Sequence, residues 1–435
     1  MPVDRFLNGS ELNMTSNPAK RDSNAAMPFI MLTVLIDMMS VGLSMPVLAP
    51  LMGSFTTSPA DQAFWYGVVV VAFAIGNFFG SPILGALSDA YGRRPVLLLG
   101  FCGLALNFFA TGFATSLWML VAVRLVGGAM QANGAVANAY VADITATPEE
   151  RARRFGMLGA MFGLGFILGP VLGGLLGAIN LQLPFIVSGS LALVNLLYGC
   201  FVLPESLPPS RRRPFSWRMA NPFTSLRALA RLDGNGRLVT AFALTTLAQT
   251  IGFIIWVIYG NFKFGWGPQE SGWSVAAIGV MSVIVQGVLL KGLLKALGPH
   301  RLAMAGMFSA SVANLLYGLA NEGWMFYAII VANGLGYIVT STIQSIISSS
   351  ADARSQGNTM GAVSSAGSLM AVAAPVIGAP LLAMISEMPR SDWRMGAPFY
   401  FCCLLQASAA LFALWQFRRN RGRVAATEPA AEAAG

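Results

Sequence analysis

The sequence predicts an all-α membrane protein: twelve transmembrane helices in two pseudo-symmetric six-helix bundles. Three observations predict it. Apolar runs of bilayer length recur along the whole chain, basic residues are confined to alternate gaps between them, and the second half repeats the first. Composition agrees: of 435 residues, 55% are hydrophobic and only 10% charged, with mean hydropathy +0.65, against about 25% charged residues in a soluble domain. A chain this apolar takes lipid as its solvent.

A hydrocarbon core of about 30 Å needs about 20 apolar residues per helix. Such runs fall at 27–49, 65–87, 96–114, 117–141, 155–178, 182–203, 238–260, 272–291, 301–319, 324–347, 361–386 and 397–417. The even-numbered gaps carry Arg93 and Arg94, then Arg151, Arg153 and Arg154, then Arg211 to Arg213, then Lys291, Lys295 and Arg301, and finally Arg354. The odd-numbered gaps are nearly bare, apart from Lys263 and the mixed Glu387, Arg390, Asp392 and Arg394. Lys20, Arg21 and the arginines at 418, 419, 421 and 423 extend the pattern to the ends. Cytoplasmic loops hold the excess of Lys and Arg, so both termini are expected in the cytoplasm. The net charge of +9 is accounted for by these gaps, and no nucleic-acid partner is expected.

The expected organisation is a cytoplasmic tail at 1–26, a first bundle at 27–203, a cytoplasmic central loop at 204–237, a second bundle at 238–417 and a cytoplasmic tail at 418–435. Residues Met1 to Ala26 are polar and do not resemble a secretory signal. The central loop opens Pro-Glu-Ser-Leu-Pro-Pro at Pro204. Asn221-Pro222 reads as a helix start, and Phe223, Leu226, Leu229 and Leu232 follow near helical spacing, as in a helix lying along the interface. A disordered linker is the alternative.

The halves repeat each other. Gly85-Ala-Leu-Ser-Asp-Ala-Tyr-Gly-Arg-Arg-Pro95 has a degraded copy in Lys291-Gly-Leu-Leu-Lys-Ala-Leu-Gly-Pro-His300, and Gly156 to Pro170 mirrors Gly361 to Pro375. Duplicated channels also repeat, but paired six-span halves point to alternating access around a midplane site.

An ionisable group deep in an apolar span costs about 2.5–3.5 kcal/mol and is functional by default. Asp37 is such a group, in the middle of the first span. Apolar surroundings disfavour a carboxylate's charge. Three roles fit it: proton carrier, counter-charge for a cationic substrate, or standing partner of Arg124. In the fourth span Arg124, Gln131 and Asn138 are seven residues apart and are expected on one helix face, with Gly127, Gly128 and Gly134 permitting close approach. The fifth span carries Gly165, Gly169, Pro170, Gly173 and Gly174, too many helix-weakening residues for any use but close packing and a bend. A rocking interface between the halves is the expectation. In the seventh span Gln249, Phe253 and Trp256 share a face with Tyr259 beside them; in the tenth, Asn333, Tyr337, Thr340 and Gln344 keep helical spacing. These read either as an aromatic and amide wall for a planar, amphipathic molecule or as interhelical hydrogen bonding. Cys102, Cys200, Cys402 and Cys403 read as packing residues, and no metal or cofactor spacing is present.

The loop Gly-x-Leu-Ser-Asp-x-x-Gly-Arg-Arg-Pro resembles the signature of the major facilitator superfamily. The first span with Asp37, the segment Trp118 through Asp143, Ala152 through Gly174, and the region of Trp256, Tyr259, Phe264, Trp266 and Trp273 resemble the tetracycline/proton antiporters within its drug:proton antiporter group. The likeness covers nearly all of 27–417. It implies the major facilitator fold and export of an organic solute in exchange for protons. It assigns Asp37 and Arg124 to proton coupling, and Gly85, Asp89, Gly92, Arg93, Arg94 and Asp143 to a cytoplasmic gate. The Gly169-Pro170 region becomes an antiporter-type bend. Two positions depart from the drug exporters: Asn107 stands where they carry a third-span acid, and Ser282 where they carry an eighth-span histidine. Asn107 is therefore counted among the candidate substrate contacts.

The function expected is a proton-coupled antiporter of tetracycline-like or other amphipathic molecules in the inner membrane, monomeric, with lipid as its surroundings. Export of a native metabolite on the same scaffold is the alternative. A membrane receptor would need neither a midplane acid nor paired glycine-rich spans. An enzyme would need a nucleophile–base pair, and none is visible.

Overall fold

In a computed structural model, residues 18–131, 133–145, 147–217, 236–349 and 356–432 are described. They form helices joined by short turns. The first half holds α1 (Pro18–Gly53), α2 (Pro59–Tyr91), α3 (Arg93–Gly112), α4 (Leu117–Met130), α5 (Asn133–Asp143), α6 (Pro148–Ile179) and α7 (Leu183–Val202). The second holds α8 (Gly236–Phe264), α9 (Pro268–Ile284), α10 (Leu290–Leu319), α11 (Gly323–Ala332), α12 (Val339–Ser349), α13 (Gln356–Ile385) and α14 (Ala397–Glu432). Among the described residues nine helices are long and apolar enough to cross a membrane, or ten with one bent pair joined.

The starts follow local chemistry. Ser58, Ser116 and Thr147 cap α2, α4 and α6, each hydroxyl accepting a backbone N–H three residues on, and Pro59 and Pro148 occupy the first turn, where a missing N–H costs nothing.

The predicted apolar runs lie on helices, but four of them are not simple rods. The fourth breaks at Gln131, between α4 and α5. The tenth bends by 57° between α11 and a 3-10 turn at Gly334–Ile338 that leads into α12. The eighth and ninth are continuous from Pro268 to Leu319 through a wider turn at Val285–Leu289, broken only at Gly298 with φ 70 and ψ 163. The interfacial helix expected from Asn221 lies outside the described residues.

Within the first half α1 packs on α6 and α7, α2 on α4, and α3 on α7; within the second, α8 packs on α13 and α14, and α10 on α14. The halves meet along α2 with α13 and α6 with α9. Large apolar side chains such as Phe201, Ile179 and Phe308 face outward, 70–86% exposed, as a lipid-facing surface requires.

Candidate functional site

A chamber of about 170 Å³ lies between the halves. Its polar groups come almost wholly from the first half: Ser44 on α1, Tyr66 on α2, Asn107 on α3, Arg124 on α4 and Gln131 at the break. The second half supplies an apolar wall of Phe253, Ile254, Val257 and Val275. Arg124 is 7% exposed, and its Nε and Nη2 have no protein hydrogen-bond partner; the Oδ1 of Asn107 is likewise unpaired. A β-carbon at Gly127 would collide with that oxygen, so glycine there makes room for the Asn107 amide. Buried polar groups without partners are costly unless a ligand satisfies them. This chamber can therefore hold an apolar body with an oxygen directed at Arg124.

Asp37, 4% exposed, lines a different cavity of about 240 Å³ with Thr33, Met38, Asn138, Phe155 and Phe162. Arg124 is not part of it. The break at Gln131 also separates the expected stripe: Arg124 and Gln131 face the chamber, Asn138 faces the Asp37 cavity. The single-face reading of that stripe is corrected. The Gln131 carbonyl, freed from helical bonding, accepts from the Asn77 amide at 3.2 Å.

The second-half candidates are dispersed. Trp256 and Tyr259 point into an aromatic core with Tyr317, Phe326 and Phe399, and the Trp256 indole donates to Ser274 Oγ at 2.9 Å. Gln249 Oε1 accepts from Thr340 at 2.7 Å, Asn333 Oδ1 accepts from Ser309 at 3.2 Å, and the Tyr337 hydroxyl donates to the Ile330 carbonyl at 3.3 Å. The 57° bend and the 3-10 turn at Gly334–Ile338 interrupt the helix expected to carry Asn333, Tyr337 and Gln344, and none of the three lines the chamber. That shared-face reading is corrected as well. Phe253 lines it, stacked at 6.0 Å on Phe166 of α6. Ser282 accepts from Gln286 at 2.6 Å, away from the chamber.

One end of the chamber is sealed. The Tyr66 hydroxyl donates to the Ile254 carbonyl at 2.9 Å, Gly67 meets Ala379 so closely that a β-carbon would overlap it, and Gly174 lies against Pro268 and Gly272. Toward the end at which α1 begins and α14 finishes, α2 and α13 instead diverge around a cleft of about 660 Å³. The α6 glycines divide the work. Gly165, Gly169 and Gly173 press on Leu35, Gly42 and Leu43 of α1 in their own half, Pro170 packs on Gly42, and Gly163, Gly174 and Gly177 reach α9.

The candidate gate is an ion-pair network at the α2–α3 turn. Arg93 bridges two acids, with Nη1 2.6 Å from Asp89 and Nε 3.1 Å from Asp143. Arg94 donates to the Cys200 carbonyl at 2.7 Å. Gly92 adopts φ 110, a left-handed value that favours glycine, while Gly85 has open space around it. Glu205, a residue the sequence reading did not single out, completes the network. Its carboxylate accepts the backbone N–H groups of Arg93 and Arg94 at 2.8 and 3.3 Å, a negative charge on the N-terminus of α3. Its only sequence signal is an acid placed directly after the sixth apolar run.

Two helical halves, joined at one end and parted at the other around a buried chamber, define a membrane transporter rather than an enzyme. The chain belongs to the Major Facilitator Superfamily, whose profile matches residues 30–375 and 238–434. It is 37% identical to the tetracycline resistance protein, class C, of Escherichia coli over 88% of this chain and 96% of that one. It is 35% identical to the class G protein of Vibrio anguillarum over 86% and 95% of the two chains. The crystal structure of the human organic anion transporter MFSD10 is similar in fold, with TM-score 0.66, 21% identity and coverage of 90% and 99%. That of a D-xylose-proton symporter has TM-score 0.70, 16% identity and coverage of 90% and 97%.

Proposed function

We propose that this protein is a proton-coupled antiporter of the inner membrane that exports tetracycline-like or other amphipathic organic molecules by alternating access. The observation that carries the reading is the chamber itself: an apolar cavity with an unpaired Arg124 guanidinium, sealed at one end and led into by a cleft at the other. Relatives named as tetracycline resistance proteins over 95–96% of their length favour a drug over a native metabolite. Twelve spans follow if α4 and α5 form one, α11 and α12 one, and the path from Pro268 to Leu319 divides at Gly298. With both termini cytoplasmic, the cleft faces the cytoplasm, and this is the state that loads substrate. The two bundles, 27–203 and 238–417, rock about the α2–α13 and α6–α9 contacts, and one chain suffices.

Substrate meets Arg124, Asn107, Gln131 and Phe253, while Asp37 in its separate cavity takes and returns the proton. Arg93, Asp89 and Asp143 hold the cytoplasmic gate. The test is proton release in everted vesicles acidified by respiration and followed with a quenched pH dye. Tetracycline should restore fluorescence with the wild type and not with Asp37→Asn. A response to another amphipathic drug alone would keep the mechanism and change the substrate; no response to any would overturn the reading.

A further inference from the structure

The second half gathers positive charge where α8 begins and α14 nears its end. Arg237, in the first turn of α8, lies flat on the Trp415 ring of α14, its Cζ 3.1 Å from the ring centroid. Its Nη1 is buried without a protein partner, and Arg419, one helical turn beyond Trp415 on α14, adds a like charge to the same corner. His300, from α10, stands edge-on to Phe417 at 4.6 Å, and Arg301 follows it. No described acid balances this corner. In the second half Glu270, Glu322, Glu387 and Asp392 all belong to turns at the opposite helix ends, and Glu428 and Glu432 lie beyond it near the tip of α14. Two guanidiniums repel unless an anion sits between them. Trp415 is 54% exposed, placed as tryptophans are at the membrane–water boundary.

We infer that this corner is a binding site for the phosphodiester headgroup of an anionic phospholipid, held by Arg237 and Arg419 with the acyl chains running down past Trp415. Membrane-surface arginines attract anionic lipid, and the planar fork of arginine matches phosphate oxygens two at a time. The site is separate from the transport chamber and stands whether or not drug export does.

The test is native mass spectrometry of the full-length protein in detergent, titrated with phosphatidylglycerol or with phosphatidylcholine. Phosphatidylglycerol adducts should outlast phosphatidylcholine adducts, and Arg237→Gln with Arg419→Gln should weaken them about 30-fold. Removing the same charge at the exposed Lys291 and Lys295 as glutamine should leave them unchanged. Should the double variant not fold, Arg419→Gln alone, at an exposed position, should weaken them about fivefold. Equal retention of both lipids, or adducts unaffected by the arginine substitutions, would overturn the inference. Displacement of the lipid by inorganic phosphate at similar concentration would make this a free-phosphate site instead.

Discussion

Glu205 grips the backbone of Arg93: its Oε1 accepts the Arg93 N–H at 2.8 Å while Oε2 takes that of Arg94 at 3.3 Å. The end of the first bundle thereby holds the start of α3, and the α2–α3 turn cannot move without the segment after α7. A β-carbon at Gly92 would fall on this carboxylate. Glu205→Ala should cost about 1 kcal/mol, the usual value of a helix cap, read as a lower thermal midpoint. Gly92→Ala should cost more, and placing it in the Glu205→Ala background should recover part of the loss, because the clash goes and only the backbone strain at φ 110 stays.

Arg93 spans two carboxylates, at 2.6 Å to Asp89 and 3.1 Å to Asp143. A lysine there keeps the charge but has no second arm to reach both. Vesicle transport by Arg93→Lys should fall about tenfold. Asp143→Asn, which leaves the Asp89 pair in place, should cost less; equal losses would show that the bridge itself is not what matters.

Trp256 and Phe253 are one helical turn apart on α8, yet they face different surroundings. Trp256→Phe loses the indole bond to Ser274 at 2.9 Å and should lower stability by about 1 kcal/mol with KM for drug unchanged. Phe253→Ala, in the chamber wall, should raise KM with little change in thermal midpoint.

Gly67 and Ala379 close the sealed end. Gly67→Leu should wedge it apart and hold the transporter away from the closure seen here. Turnover should fall by more than tenfold, while a cysteine reporter near Asn77 in the opposite cleft becomes less reactive toward a water-soluble maleimide.

Asp392 caps the turn at Trp393–Gly396, accepting the Arg394 N–H at 2.8 Å and the Arg394 guanidinium through both oxygens. These bonds hold its carboxyl below the usual value, near 3.9 unfolded. Their contribution is present above that value and lost as pH falls through the lowered one. Amide exchange in this turn, corrected for intrinsic rate, should quicken below about pH 4 in the wild type and show no such step in Asp392→Asn.

Asp37 and Arg124 stood out in the sequence because a charge in an apolar span is conspicuous in any arrangement of the helices. The polar cluster at the α2–α3 turn was legible because Asp89, Arg93 and Arg94 sit within six residues of one another. Glu205 was not, since its partners are 112 and 111 positions away in the chain. Of the aromatic and amide side chains expected to share a wall, Phe253 lines the chamber while Trp256, Tyr259 and Tyr337 do not, since helical spacing says which side chains share a face, not which neighbour that face meets.

The sequence by itself determined the helical segments and the class of protein, because the length and hydropathy a bilayer demands are local properties of the chain. Tertiary structure decided which polar groups share a cavity. Asp37 on α1 and Arg124 on α4 line separate cavities, and Gln131 faces the chamber while Asn138, beyond the helix break at Gln131, faces the Asp37 cavity. Such a break depends on where freed backbone groups find partners, here the Asn77 amide on another helix, and that exists only once the helices have packed.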